Sequence, residues 1–354
     1  MDPYVEGLRD SADPCIAYRA HRLFDERPQD GEDQRRRRRQ VIETPNVRRL
    51  LAHRRPDGTL RYGNEYHAYR KFQGAHWTMA ALAELGYPPA DHSLMPVVDQ
   101  IHQWLTSPQH LRPPSTQVIS GQEDRVRRCA SQEGLAIWYL HELDLVDQRV
   151  DALVGRLIDC QWPDGGWNCD KKPATCTSSV QETLLPLRGL ARHLRAGREA
   201  WDVRAAVDRA AQFLLDRRLL WRRRDGAPIR PTWGRDPMRI QWPIRWYDVL
   251  SALTVMAEIG RIGDPQCADA LEVLAAKHLP TGGFPAEERT ATTTDAVISG
   301  GTLADWGPCG RTRANPYVSI DATWVLQKAA EPAPPRFCPH VVACPECRDC
   351  APRA

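Results

Sequence analysis

The chain has 354 residues, of which 42% are hydrophobic and 26% are charged, and this composition excludes an intrinsically disordered or fibrous protein. A formal net charge of +3 gives no reason to expect nucleic-acid binding, and no apolar run approaches the roughly 20 residues of a membrane span. Tryptophan is unusually common, with 12 residues against 5 phenylalanines, which indicates aromatic packing anchors or the walls of a pocket.

The beginning of the sequence carries no targeting signal that we recognise. Its first ten residues are polar and acidic and lack the apolar core of a signal peptide. We therefore expect a cytoplasmic protein. The cysteines scattered through residues 15–309 are then expected to be thiols rather than disulfides.

Residues 1–40 are polar and end in five consecutive arginines, 35–39. Such a run is found in patches that bind nucleic acid or a membrane surface, and also in solvated, disordered arms. No aromatic residue interrupts the run. We interpret residues 1–40 as a disordered, arginine-rich arm, and leave a peripheral membrane contact open.

From residue 41 to about residue 330 the hydrophobic pattern is helical. The predicted helices are 41–52, 74–85, 93–105, 129–145, 150–159, 178–194, 203–220, 246–259, 268–278 and 317–329. Pro186 lies inside one of them and predicts a kink or a later start. No segment shows a convincing strand period of two, so residues 41–330 are predicted to form one all-α domain.

Glycine turns recur along this domain, at Gly58, Gly165, Gly226 and Gly283. Their spacing predicts a unit of about 55 residues with two helices, repeated about five times. One helix of each unit is nearly uncharged and the other is amphipathic, a pattern typical of an inner and an outer layer. Because such pairs bury their apolar faces by stacking, the sequence predicts an α/α toroid of about five inner/outer helix pairs.

The best-preserved turn is residues 161–170, Gln-Trp-Pro-Asp-Gly-Gly-Trp-Asn-Cys-Asp. It resembles the Gln-Trp repeat of squalene-hopene cyclases and other terpenoid cyclases, and residues 165–173 are similar to the Gly-Gly-x-x-Asp-Lys-Pro turn of protein prenyltransferase β subunits. Residues 69–89 and 127–134 resemble a bacterial group of prenyltransferase/squalene-oxidase-repeat proteins. The resemblance covers roughly residues 45–329 and implies a toroid in which such turns join outer helices to inner ones.

In function, the resemblance implies a small isoprenoid or other apolar, anionic ligand in a Trp-lined central cavity, with acid catalysis as one mode of action. The catalytic sets of the two enzyme families do not carry over. The Asp-x-Asp-Asp sequence of the cyclases is absent, and the prenyltransferase zinc set is broken because Asp159 and Cys160 are adjacent. Two alternatives stay open: a carbohydrate-active α/α barrel with paired carboxylates, and a non-catalytic toroid that binds lipid or peptide.

Acidic residues recur at the starts of the predicted inner helices. Aligned there, they predict a ring at one end of the central cavity, and crowded carboxylates raise one another's pKa enough to supply a general acid. The alternative is that they only complement the helix dipoles. The predicted catalytic set comprises Glu133, Glu182, Asp248, Asp321 and His76.

Basic residues precede the same helix starts. Cations beside helix N-termini form sites for anions such as a diphosphate, although these residues could equally pair with the ring carboxylates and stabilise the rim. The predicted ligand-binding set comprises Arg127, Arg128, Asp170, Lys171 and Arg245, with the aromatic residues Trp77 and Tyr247.

Residues 331–354 form a separate segment rich in proline and cysteine. Its candidate metal ligands are Cys338, His340, Cys344, Cys347 and Cys350, with two Cys-x-x-Cys steps that share one cysteine. Thiolates and imidazole are ligands of tetrahedral zinc, so zinc is the one cofactor that the sequence indicates. A reduced, disordered tail is the alternative, because the usual second Cys-x-x-Cys pair is missing.

Overall fold

A computed structural model describes residues 2–25, 31–61, 72–111, 118–119, 122–170, 172, 174–198, 200–231, 235–296, 298 and 300–331. The chain is mostly helical, with 53% helix and 6% strand, which confirms the predicted all-α class. Within the described ranges, every helix is too short or too polar to cross a lipid bilayer.

Fourteen α-helices form in the described residues. They are α1 (Pro3–Leu8), α2 (Pro14–Phe24), α3 (Glu32–Ile42), α4 (Pro45–Leu51), α5 (Ala75–Leu85), α6 (Met95–Leu105), α7 (Pro108–Leu111), α8 (Ala130–Glu142), α9 (Gln148–Asp159), α10 (Val180–Arg195), α11 (Trp201–Leu215), α12 (Val249–Glu258), α13 (Ala268–Ala275) and α14 (Pro316–Ala330). Short 3-10 helices at His92–Leu94 and Pro265–Cys267 precede α6 and α13. Helix α10 begins before Pro186 and continues through it, so the predicted late start is wrong.

Three small two-stranded sheets lie between the helices. Antiparallel β1 (Val118–Ile119) and β2 (Gln122–Val126) form the first. The other two sheets are parallel: β3 (Gln241–Trp242) pairs with β4 (Glu288–Arg289), and β5 (Thr292–Thr293) pairs with β6 (Gly301–Thr302). Most of these strands have only two residues, too few to produce a recognisable alternating pattern in the sequence.

Six helices contact one another in a closed order, which we name the inner circuit. Helix α2 contacts α5, followed in turn by α8, α10, α12 and α14, and α14 contacts α2 again. All eleven residues of α5 are buried, and α8 and α12 are buried over most of their length. Helices that are buried on every side belong to the interior of a fold.

A second set of helices packs against the inner circuit. Helices α6, α9, α11 and α13 each contact the inner helix that precedes them in the chain, and α1 contacts α14. Helix α9 shows the pattern of this set, because it buries Val150, Leu153, Val154 and Leu157 at helical spacing and leaves its other face polar. We refer to these five as the outer helices.

The prediction of a disordered arm over residues 1–40 is wrong for the part that the structure describes. Helices α1, α2 and most of α3 lie there, and Val5, Tyr18 and Ala20 are buried. Asp2 and Asp13 cap α1 and α2, and each cap is followed by a proline at the first helical position. Helix α2 is therefore a member of the inner circuit, and the arginine run lies on α3.

The turn at residues 161–170 contacts both sets of helices. The indole of Trp167 donates to Leu157 O on α9 (2.8 Å), and its backbone N–H donates to Thr183 Oγ1 on α10 (3.3 Å). Gln161 Nε2 donates to a backbone carbonyl of α11 (2.9 Å). Gly166 has no room for a side chain, because a Cβ would lie 2.3 Å from Thr183 Oγ1.

The turn at residues 279–284 repeats this geometry. Leu279 N–H donates to Gly283 O (2.9 Å), and Phe284 N–H donates to Ser319 Oγ on α14 (2.8 Å). The turn at residues 161–170 has the same two bonds, one that closes the turn and one from the turn to the inner helix that follows it. The repeat is thus present in three dimensions, and it makes Ser319 on α14 the equivalent of Thr183 on α10.

Candidate functional site

The four predicted ring acids lie at different depths along their helices. Glu133 is the fourth residue of α8 and Glu182 the third of α10, whereas Asp248 caps α12 and Asp321 is the sixth residue of α14. With Ser319 equivalent to Thr183, Asp321 lies three residues further into its helix than Glu182 does. The structure does not bring the four together as a ring, and each has partners of its own.

Glu133 is completely buried beside two arginines and a histidine. Its Oε1 is 2.7 Å from Arg128 Nη2, 3.0 Å from His110 Nε2 and 3.2 Å from Arg156 Nε. Burial alone would raise its pKa, but the hydrogen bond to His110 and the charge of Arg128 outweigh burial and lower the pKa below the ordinary value. Glu133 is therefore ionised at neutral pH, and it engages Arg128, one of the predicted anion ligands.

Glu182 connects the starts of α10 and α8. Its Oε2 accepts the Ser131 N–H (3.0 Å), and its Oε1 accepts the thiol of Cys169 (3.4 Å). Burial raises the pKa of Glu182 against these hydrogen bonds, and the negative charge of Glu133 raises it further. This is the one electrostatic coupling between two of the predicted ring acids that the described residues show.

Asp248 is the N-cap of α12. Its Oδ1 accepts the Ser251 N–H (2.8 Å) and its Oδ2 accepts the Gln241 N–H (3.2 Å), while Ser251 Oγ accepts the Asp248 N–H. Burial raises the pKa of Asp248 to about 7, despite these hydrogen bonds. The neighbouring Tyr247, a predicted ligand-binding residue, is buried and donates its hydroxyl to Leu219 O (2.5 Å).

Asp321 belongs to an ion-pair network inside the inner circuit. Arg19 donates two hydrogen bonds of 2.7 Å to its carboxylate, and Arg19 Nη1 is also 3.3 Å from Glu84 Oε2. Arg188 Nη1 is 3.1 Å from the other oxygen of Glu84, and Arg188 Nη2 is 2.8 Å from Glu258. Burial alone would raise the pKa of Glu84, but the arginines outweigh it and the pKa is lowered.

Every inner helix contributes to this network. The guanidinium carbon of Arg188 lies 4.0 Å from the ring centroid of Trp138, which adds α8 to the set. The members, in chain order, are Arg19, Glu84, Trp138, Arg188, Glu258 and Asp321. The side chains that meet in this network are ion pairs packed against tryptophan.

Two of the predicted ligand-binding residues, Trp77 and Arg245, line one cavity. The other residues of its wall are Phe72, Ala81, Pro243, Thr290, Ala291, Thr302 and Trp306. Its volume of about 20 Å³ holds one water molecule, whereas sites for organic ligands measure about 300–1,000 Å³. The wall, as far as the structure describes it, is aromatic and cationic and contains no carboxylate.

Arg245 is 5% exposed and is the cation of this cavity. Its Nη1 donates to the preceding Ile244 O (2.8 Å) and lies 3.8 Å from Glu84, a carboxylate that two other arginines contact more closely. Burial lowers its pKa to about 10 against the attraction of Glu84. The guanidinium also lies 5.9 Å from the ring centroid of Trp77.

His76 lies beside the cavity and not in a ring of acids. Its Nδ1 hydrogen-bonds the hydroxyl of Tyr139 (3.0 Å), and its ring packs edge-on against Trp77. Burial, aided by the positive charge of Arg245, lowers the pKa of His76 to about 3. It is a neutral imidazole at physiological pH and not a source of protons.

The remaining predicted residues are in loops or outside the described ranges. Arg127 donates to Lys172 O (3.2 Å), and Asp170 accepts the Lys172 N–H (3.1 Å), so both belong to one half-exposed loop. Lys171 and the five predicted zinc ligands of the tail lie outside the described residues. In the part of the chain that is described, no group of three or more His, Cys, Asp or Glu side chains is arranged to hold a metal ion.

The chain matches no known protein-family model, and no curated protein matches it. We therefore argue its function from contacts within the chain.

Proposed function

We propose that this protein is a toroid of the terpenoid-cyclase and prenyltransferase type that binds a small apolar anion, such as an isoprenoid diphosphate, beside Arg245 and Trp77. The closed order of the inner circuit, the outer helices and the repeated glycine turns support the toroid. The inner circuit has six helices, because α2 is a member, and five outer helices pack against it. A closed double layer of this kind leaves one ring of helix starts at a common end.

Arg245 is the observation that carries the proposed ligand. A buried guanidinium normally has a carboxylate of its own, since an uncompensated buried charge is costly. Among the described residues, the carboxylate that pairs with Arg245 is Glu84, at 3.8 Å, and it is shared with Arg19 and Arg188. A phosphate or carboxylate of a ligand would complete the pairing of Arg245, and the aromatic walls suit an apolar group attached to that anion.

A ligand can reach Arg245 only if the cover of the cavity moves, because the present volume admits one water. Thr290, Ala291 and Thr302 belong to the segment 288–306, which forms this cover. Gln73 holds the segment: its Nε2 donates to Ala296 O (2.6 Å) and its Oε1 accepts the Ile298 N–H (3.0 Å). Two side chains thus affect binding: Arg245, the cation inside the cavity, and Gln73, whose amide holds the cover in place.

The geometry favours binding over acid catalysis at this position. Glu84 and Glu133 are held ionised by arginines, and Asp248 accepts the hydrogen bonds of a helix cap. None of them lines the cavity. The carbohydrate-active alternative needs two carboxylates facing a common space, which the described wall does not offer.

The test is binding of farnesyl diphosphate, farnesol and inorganic diphosphate to the full chain, by titration calorimetry and by thermal unfolding. We expect farnesyl diphosphate to raise the unfolding temperature in a concentration-dependent way. Arg245→Met, which removes the charge and keeps an apolar chain, should weaken binding about tenfold or more, since hydrogen bonds to a charged group contribute about 1.5–3 kcal/mol.

Arg261→Met is the matched control, because Arg261 follows the opposite end of α12, is partly exposed and pairs with Asp264. Its affinity should equal that of the unchanged protein. The proposal fails if none of the three compounds binds at millimolar concentration, or if both arginine variants lose affinity equally. An oligosaccharide that binds where farnesyl diphosphate does not would favour the carbohydrate alternative.

A further inference from the structure

Two cysteines lie side by side where the turn at residues 161–170 meets the start of α8. Arg128 N–H donates to Asn168 O (2.8 Å), which places the residues that follow, Cys129 and Cys169, next to each other. Their side chains are within hydrogen-bonding reach of one another. Both are thiols and both are partly exposed, so a small solute can reach the pair.

A carboxylate lies at the same point. The thiol of Cys169 donates to Glu182 Oε1 (3.4 Å), and the Ser131 N–H fixes the other oxygen of Glu182 (3.0 Å). Burial raises the pKa of Glu182, so this carboxylate is a better proton acceptor than an exposed one. The thiol of Cys129, burial and the charge of Glu182 together raise the pKa of Cys169, which keeps its proton at neutral pH.

Other cysteines of the described ranges are placed differently. Cys15 is 1% exposed and its thiol contacts the hydroxyl of Thr44 (3.7 Å). Cys267 is fully buried and contacts Arg261 O (3.6 Å). These two are packed thiols with oxygen partners, whereas Cys129 and Cys169 combine a neighbouring sulfur, partial exposure and an adjacent base.

We propose that Cys129 and Cys169 are a redox modification site, which hydrogen peroxide or a related peroxide converts to a reversible disulfide with Glu182 as the base. This site does not depend on the ligand proposed for Arg245. In the first step the sulfur of Cys129 attacks the peroxide, the O–O bond breaks, and a sulfenic acid and one water form.

In the second step the sulfur of Cys169 attacks the sulfur of Cys129 and expels the sulfenic oxygen. Glu182 takes the proton of Cys169 and returns it to the departing hydroxide, which leaves as a second water. In total two thiols lose two electrons and two protons, and one peroxide becomes two waters. Reduction by a thiol such as glutathione restores the original pair.

The test is peroxide treatment of the full chain, followed by alkylation of the remaining thiols, trypsin digestion and mass spectrometry. We expect the peptides 129–149 and 157–171 to be joined, at a mass about 2 Da below their sum, and to separate on reduction. Peptide 157–171 also contains Cys160, so Cys160→Ser must keep the cross-link while Cys169→Ser and Cys129→Ser abolish it.

The role of Glu182 has its own measurement. In Glu182→Gln the second step should slow about a hundredfold, so that a sulfenic acid accumulates on Cys129 and can be trapped with dimedone. Asp170→Asn is the control, because Asp170 adjoins Cys169 but accepts the Lys172 N–H instead of a thiol. The proposal is overturned if the unchanged protein forms no such cross-link, or if Cys160 is the partner of Cys129.

Discussion

Glu133 lies between two arginines and a histidine and has no exposure to water, and we expect it to be structural. Glu133→Gln keeps the shape of the side chain and removes its charge, which leaves Arg128 buried without a formal counter-charge. Breaking a buried pair from one side should lower the free energy of unfolding by about 3 kcal/mol, measured by urea denaturation. In Glu43→Gln, which affects an exposed pair with Arg48, the change should stay below about 0.5 kcal/mol.

Equal losses in the two variants would show that Glu133 is not held in the way the structure describes. A loss of ligand binding in Glu133→Gln without a loss of stability would favour the sequence-based hypothesis that Glu133 acts on a ligand.

Asp248 should make stability depend on pH. Its folded-state pKa of about 7 lies above the unfolded value of roughly 3.9, so folding takes up a proton between these two values. The stabilisation is complete below about pH 4 and is lost as the pH rises through 7. Asp248→Asn keeps a capping oxygen but does not titrate. The free energy of unfolding should therefore depend on pH with a different slope in the two proteins over this range.

The shift of about three pKa units corresponds to at most about 4 kcal/mol. We expect the free energy of unfolding of the unchanged protein, relative to that of Asp248→Asn, to fall by a few kcal/mol between pH 5 and pH 8. Parallel stability curves for the two proteins would mean that Asp248 titrates at an ordinary pKa.

At the scale of elements, α8 and α10 approach each other most closely at a glycine contact. A Cβ on Gly134 would lie 2.4 Å from the backbone of Pro186, so the two helix backbones leave no room for a methyl group. Gly134→Ala should cost about 1–3 kcal/mol through overpacking, despite the better helix propensity of alanine. Gly155→Ala on α9 meets nothing within 4 Å and should stabilise by about 0.5–1 kcal/mol.

Thermal and urea unfolding of both glycine variants would measure this difference. Stabilisation by alanine at both positions would mean that α8 and α10 are further apart than the structure shows.

Gln73 should control how often the cover of the cavity opens. Gln73→Ala removes both hydrogen bonds to the segment 288–306. We expect the amides of that segment to exchange hydrogen about thirtyfold faster, since two bonds of about 1 kcal/mol are lost. Hydrogen exchange with mass spectrometry measures this, and Gln161→Ala serves as the control because its bonds lie at another turn. Unchanged exchange in the segment would show that other contacts hold the cover.

Most helices could be predicted because helical periodicity is local and survives in each segment by itself. The positions of the four predicted ring acids could not be predicted in the same way. Each step of one residue along a helix rotates the side chain by about 100°, so helices that start a few residues apart direct aligned acids in different directions. The turn at 161–170 fixes one register and the turn at 279–284 another, and only the structure relates Thr183 to Ser319. The sequence did contain one signal of the buried ion-pair network: Glu84 is the single charged residue in the apolar helix α5.

At the scale of the whole molecule, the missed helix α2 is the one that closes the inner circuit. Seven of its eleven residues are apolar, but it lies between polar segments, which made residues 1–40 resemble a solvated arm. What holds α2 in place is long-range pairing, in which Arg19 contacts Asp321 and Glu84, residues far away in the sequence. No local pattern reports such a contact, so α2 could not be predicted as a member of the inner circuit.

This closure has a direct test in Arg19→Met. The variant leaves Asp321 and Glu84 buried near each other with one guanidinium fewer, and we expect about 3–5 kcal/mol of stability to be lost. Arg19→Met/Asp321→Leu should recover at least half of that loss, because an apolar pair of similar size replaces an ion pair at little cost. Arg9→Met, at the more exposed pair with Asp25, should lose less.

The location of the loss distinguishes a closed circuit from an α2 that only covers the surface. If α2 joins α14 to α5, the loss of the Arg19 contacts should loosen the packing of α2 on both of those helices. Hydrogen exchange in Arg19→Met should then rise in α14 and in α5. If α2 only covered the surface, exchange would rise in α2 alone and the double variant would recover nothing. The first pattern would support a circuit of six inner helices, and the ion pairs that join them would then explain why a ligand binds at the helix starts, beside Arg245.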